Sequence, residues 1–268
     1  MRALLKLVYC EFLKLKRKPL LFVSALLSIL IPFSISFLPS DARTGAQAVE
    51  EMMSCLFQLS AYLLLIPIVI VLAANLLFEE QDNDTLKNLL AVPVDKAKLA
   101  IAKMLVLLIF SVLFMAVGGL LCAGLVMLQG WKPEGFWPLF FVGIGESLIM
   151  WVGALPCVLL VVAFNKSYIV SVIITFFYTM ANYIISTNTP LLTQSFGLNP
   201  GTLLPGPLAF RWFFQFYDHS NPSEELAALL ERISPYFLNH AQAFGVAALE
   251  AVLFLGLIAF VYKRQEVQ

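Results

Sequence analysis

The sequence predicts an all-α integral membrane protein with six transmembrane helices, an N-terminal amphipathic interfacial helix and a short cytoplasmic helix between the second and third spans. Three observations carry this. Of 268 residues, 60% are hydrophobic and only 13% charged. A soluble domain is about half apolar and about a quarter charged. Six apolar stretches reach membrane length, and the basic side chains between them favour alternate loops. With Lys plus Arg equal to Asp plus Glu at 17 each, nothing in the charge balance points to nucleic acid.

The six stretches are Leu20–Leu38, Cys55–Phe78, Met104–Gly130, Phe136–Asn165, Ser167–Thr189 and Ala241–Tyr262. About 20 residues at ~1.5 Å each cross a ~30 Å hydrocarbon layer. Lipid offers no partner to open backbone groups, so each stretch is expected to be helical. Pro32, Pro67 and Pro156 lie inside spans and should kink them. Ala46-Gln47-Ala48 resembles a signal cleavage site, but the apolar run before it is long for a signal peptide, and the first span is read as retained.

Orientation follows from the basic residues. Arg2, Lys6, Lys14, Lys16, Arg17 and Lys18 precede the first span. Lys87, Lys96, Lys98 and Lys103 fall in the second loop, Lys166 in the fourth, and Lys263 and Arg264 in the tail. Only Arg43, Lys132, Arg211 and Arg232 fall on the other side. Both termini are therefore expected in the cytoplasm.

Three pieces between or before the spans are informative. In residues 1–18, Leu4, Leu5, Val8, Phe12 and Leu15 share one helical face and Arg2, Lys6, Lys14 and Arg17 the other, which predicts a helix lying on the inner leaflet. The extracytoplasmic segment 190–240 is rich in Pro, Gly and aromatics. Its Phe210, Trp212, Phe213 and Phe216 belong to a dense aromatic run suited to a membrane interface. Within it, Asn221-Pro222-Ser223-Glu224 reads as a helix start, followed by Leu226, Leu229, Leu230 and Ile233 at helical spacing.

The third piece is the cytoplasmic loop 79–103. Glu79, Glu80, Asp82 and Asp84 crowd its front, and Asp84 or Thr85 can cap a short helix there. Leu86, Leu89 and Leu90 form an apolar ridge, and Pro93 ends the helix. A ridge held below the membrane suits a groove on a partner protein.

The order of these features resembles the ABC-2 type permease family. The matching residues are Glu11-Phe12-Leu13-Lys14-Leu15-Lys16-Arg17, then Glu79-Glu80, Thr85-Leu86-Lys87-Asn88-Leu89-Leu90, Pro93-Val94, Lys98-Leu99 and Lys103. More narrowly, the chain is similar to permease subunits of lantibiotic and bacitracin self-protection transporters. Many relatives have a glycine before the loop threonine, where this chain has Asp84. The resemblance implies that residues 1–268 form a single transmembrane domain in a bacterial cytoplasmic membrane. It implies a partner dimer of cytoplasmic ABC ATPases that carries ATP and Mg, and a second permease copy or a paralogous permease. It also implies that Leu86, Leu89 and Leu90 are the docking ridge of a coupling helix, approached through Glu79, Glu80 and Thr85. The cargo would be an antimicrobial peptide. A drug, lipid or ion exporter, or a scaffold or sensor without transport, are the alternatives.

The chain carries no G-x-x-x-x-G-K-[ST], no H-E-x-x-H and no G-x-S-x-G, so it is not expected to be an enzyme or to hold a cofactor or metal of its own. His219 and His240 are isolated, and Cys10, Cys55, Cys122 and Cys157 form no C-x-x-C pair. Glu146 and Glu250 fall well inside the fourth and sixth spans. An acid there should be protonated, paired or facing a wet cavity. The pair is read either as a polar patch on a substrate path or as acids bonded to neighbouring groups.

Overall fold

The computed structural model describes residues 2–16, 44–82, 96–163, 168–217 and 224–264, with positions 23, 26, 27, 30–34, 36, 37 and 42. The described residues contain helices and turns and no strand. The first expected span, Leu20–Leu38, is described only at scattered positions, and the short helix of the loop falls wholly outside the described residues.

Helix α1 is Arg2–Lys16. Next, α2 (Gly45–Cys55) runs into a π-helical stretch, Leu56–Leu65, and then α3 (Ile66–Asp82). Thr44 caps α2, its Oγ1 accepting from the Gln47 amide at 3.3 Å. The second apolar helix therefore starts ten residues earlier than hydropathy suggested, because Gly45–Ser54 is amphipathic rather than uniformly apolar. Helix α4 is Lys96–Leu128, α5 Phe136–Ala163 and α6 Tyr168–Ser186. Gly130 and Gly135, with φ of 88° and 71°, turn the chain between α4 and α5 in a conformation other residues adopt at a cost. Short helices α7 (Thr189–Leu192), α8 (Pro200–Leu203) and α9 (Pro205–Phe213) follow, then α10 (Glu224–Ile233) and α11 (His240–Arg264). A reciprocal cap starts α11: the Gln242 amide donates to Asn239 Oδ1 at 2.8 Å, and the Asn239 amide to Gln242 Oε1 at 3.0 Å.

Four helical stretches are long and apolar enough to cross a membrane: Gly45–Leu77, Lys96–Leu128, Phe136–Ala163 and His240–Arg264. Val170–Ser186 is a shorter apolar helix. Of these, α5 sits at the centre. Its most apolar window is 72% buried, against 17% for α11, and it packs on α3, α4, α9 and α11. Glycines allow this closeness. A Cβ on Gly143 would lie 2.9 Å from Phe57 Cε1, and one on Gly118 of α4 2.7 Å from Leu56 Cδ1. Trp151 Nε1 donates to the Met104 carbonyl of α4 at 3.1 Å.

Residues 200–217 return into this bundle. Pro205 seats on Gly153 of α5 so closely that a Cβ there would collide with it, and Trp212 covers Gly145 in the same way. Tyr62 of the π stretch donates to the Gly206 carbonyl at 2.9 Å. Gly153 lies 17 residues into α5, about 25 Å from its start. The residue pairing shows α9 running antiparallel to α5, from Gly153 back toward Gly145. Arg211, 1% exposed, fixes the returning segment by donating to the Gly201 carbonyl at 2.9 Å and the Tyr236 carbonyl at 2.8 Å.

Candidate functional site

Two regions hold the residues singled out above. The first is the loop end of the bundle. Helices α3 and α4 are the legs of the segment 83–95. Glu79 and Glu80 lie in the last turn of α3. Thr85, Leu86, Leu89 and Leu90 fall outside the described residues, so the expected docking ridge has no observed geometry. Above the legs, Lys103 of α4 is buried and sits 2.7 Å from Glu11 Oε2 of α1. It also donates to the Leu76 carbonyl of α3 at 2.8 Å. Lys14 pairs with the other Glu11 oxygen at 2.5 Å. This buried cluster was not singled out from the sequence. Glu11 and Lys103 both stood in the family motif, but their spacing of 92 residues gave no sign that they meet.

Helix α1 divides its surface three ways. Val8, Phe12 and Leu15 pack on the core with buried Glu11. Leu5, Tyr9 and Leu13 form an exposed apolar stripe, and Lys6, Cys10 and Lys14 an exposed polar one. The sequence placed Leu5 with Leu4 and Val8, but packing against α4 separates them.

The second region surrounds Glu146 of α5. Its carboxyl is fully buried, and neither oxygen has a hydrogen-bond partner. Register explains its neighbours. Phe57 of the π-helical stretch packs on Gly143, one turn before Glu146. The Ser60 hydroxyl is likewise buried without a partner. Tyr62 and Tyr217 stand close enough to feel a charge on Glu146. The Phe57 ring stacks on Tyr217 at 6.2 Å between centroids and meets Phe213 edge-on at 5.5 Å. Glu146 thus lies where the π-helical stretch, α5 and the returning segment meet. A π turn widens the helix and disturbs its ladder, a feature frequent at functional positions.

Glu250 of α11 has different surroundings. It is partly exposed and its field reaches Tyr178 of α6, whose hydroxyl donates to the Gly153 carbonyl. Glu146 acts on Tyr62 and Tyr217, whereas Glu250 acts on Tyr178. The aromatic residues are not spread along a surface: Phe210, Trp212 and Phe213 are buried, and Phe216 is the most exposed of the four. Trp212 Nε1 donates to His240 Nδ1 at 3.0 Å, with Phe216 and Phe244 packed around the pair. The tryptophan covers Gly145, one residue from Glu146. Among the described residues, no three metal-ligating side chains come together.

Comparison with known proteins gives one result. A family described as "ABC-2 family transporter protein" matches residues 7–182. That range takes in most of α1, both legs, the segment between them, Glu146 and most of α6. No curated protein matches.

Proposed function

The chain belongs to the ABC-2 transporter family, and from that premise we propose that it is a bacterial permease subunit that expels an antimicrobial peptide. The family's membrane subunits work with separate ABC ATPases, which supply the hydrolysis. The observation that carries this reading is the matched range itself. It brackets 83–95 between two apolar helices, Gly45–Leu77 and Lys96–Leu128, each 33 residues long. Both exceed the ~20 residues a bilayer needs, which leaves length for legs below it.

In this reading the segment 83–95 lies in the cytoplasm with both termini, and Leu86, Leu89 and Leu90 enter a groove on the ATPase. Glu79, Glu80 and Thr85 line the approach. ATP-driven closure of an ATPase dimer pushes the legs, and two permease copies, or this chain and a paralogue, open to the outer side. Glu146 supports a cargo with cationic groups, since an unpaired buried carboxyl gains a partner when one arrives. In this reading the bundle parts at the seam of three elements where Glu146 lies. The aromatic segment from Phe210 to Tyr217 offers apolar faces to an amphipathic chain once that seam opens. Glu250, with its looser surroundings, is the second acid on the path.

The test is survival. Cells expressing the chain with its ATPase should grow through a dose of lantibiotic or bacitracin that kills cells lacking it. Equal killing of both would reject the peptide as cargo and leave the transporter assignment in place.

A further inference from the structure

Lys103 joins three helices at one point. Its ammonium, 1% exposed, meets Glu11 Oε2 of α1 at 2.7 Å and the Leu76 carbonyl of α3 at 2.8 Å. A buried cation is costly unless paired and hydrogen-bonded. Here two of its partners come from two different helices, so parting α1 or α3 from α4 breaks a bond to the buried charge. Glu11 is 2% exposed and holds its second oxygen against Lys14 at 2.5 Å.

The position of this knot matters more than its strength. Leu76 lies six residues before the end of α3 and Lys103 seven after the start of α4. Both stand ~10 Å along their helices from the segment 83–95. Apolar contacts of Val8, Phe12 and Leu15 also hold α1 to the bundle. Such contacts are non-directional and tolerate sliding. The ion pair and the carbonyl bond are directional, so they fix where α1 sits relative to the two legs.

We propose that Lys103 is a positioning residue that ties α1 to both legs, so that α1 moves with them whenever the segment 83–95 is displaced. This rests on the reading of that segment as the ATPase contact. A displacement of the legs then reaches a helix whose exposed stripe of Leu5, Tyr9 and Leu13 faces outward, and carries that stripe along. The variant Lys103→Met keeps most of the side-chain length and removes the charge. Glu11 retains Lys14 as a partner, so the fold is not left with an isolated carboxylate.

The experiment uses the full chain purified with its ATPase and placed in lipid nanodiscs. A spin label on exposed Cys10 reports on α1, in a Cys55→Ser background. A second preparation carries the label at Lys98→Cys on α4, with Cys10→Ser and Cys55→Ser. Spectra are compared with and without ATP. Both labels should respond when Lys103 is intact. In Lys103→Met the α4 label should still respond and the α1 label should not, while Lys103→Arg should restore the α1 response. Glu11→Gln, which keeps a polar group beside Lys103, provides a second route to the same loss. An α1 response undiminished in both Lys103→Met and Glu11→Gln overturns the positioning role. Silence of both labels in the unaltered chain overturns the ATPase-contact reading, and the positioning role with it.

Discussion

Replacing Glu146 with methionine should make the protein more stable and less able to handle cargo. The carboxyl is fully buried and neither oxygen has a hydrogen-bond partner. Mutational data put the cost of an unsatisfied buried polar group at about 1–3 kcal/mol. Methionine is close in volume to glutamate, flexible enough to fill the space beside Phe57 and Tyr217, and has no polar group to desolvate. The expected gain is therefore ~2 kcal/mol. At about 2–4 °C per kcal/mol for a chain of this size class, thermal unfolding in detergent should shift up by ~4–8 °C. Glu146→Gln, which keeps an unsatisfied polar group, should gain far less. If the acid serves cationic cargo, peptide-stimulated ATP hydrolysis by the assembled transporter should fall in both variants. A methionine variant less stable than the parent would refute the reasoning, because it would mean the carboxyl has a partner whose loss is felt.

Four further outcomes are expected. Glu11→Ala should destabilise the fold by about 3–5 kcal/mol by breaking the buried ion pair with Lys103, whereas Glu11→Met with Lys103→Met should recover most of that loss; chemical denaturation of the four-member cycle measures the coupling. Tyr62→Phe removes the bond to the Gly206 carbonyl and should cost about 1–2 kcal/mol, with faster proteolysis of the returning segment as a second readout. Gly153→Leu should cost at least about 1–3 kcal/mol through overpacking against Pro205; unaltered thermal stability would mean Pro205 does not seat there. Cys10 should react with a membrane-impermeant maleimide in inverted vesicles and not in intact cells, while buried Cys122 and Cys157 resist in both; labelling from outside intact cells would reverse the orientation.

The helical spans were legible because hydropathy and length report directly on lipid solvent. Five of the six expected stretches correspond to described apolar helices, four of them long enough to cross a membrane and Val170–Ser186 shorter. The sixth, Leu20–Leu38, is described only at scattered positions. Helix ends were less legible. Gly45–Ser54 continues the second helix although its amphipathic pattern gives no membrane signal, and the Thr44 cap is a better guide there. Glu146 was visible as a charge inside an apolar run, but the absence of a hydrogen-bond partner for it depends on how the π-helical stretch and the returning segment pack on α5. The knot at Lys103 was invisible, since it depends on contact between residues 92 positions apart. The return of residues 200–217 into the bundle was hidden as well. Their Pro, Gly and aromatic content reads as a surface segment, whereas the glycines of α5 are what make room for them.

The central claim is that this chain is moved by an ATPase gripping the segment 83–95. It is tested most directly by affinity purification of the unaltered chain and of Leu89→Asp with Leu90→Asp, followed by assay of ATP hydrolysis in each eluate. Hydrolysis accompanying the unaltered chain and missing from an equally well inserted variant is the predicted result. Equal hydrolysis in the two eluates would contradict it.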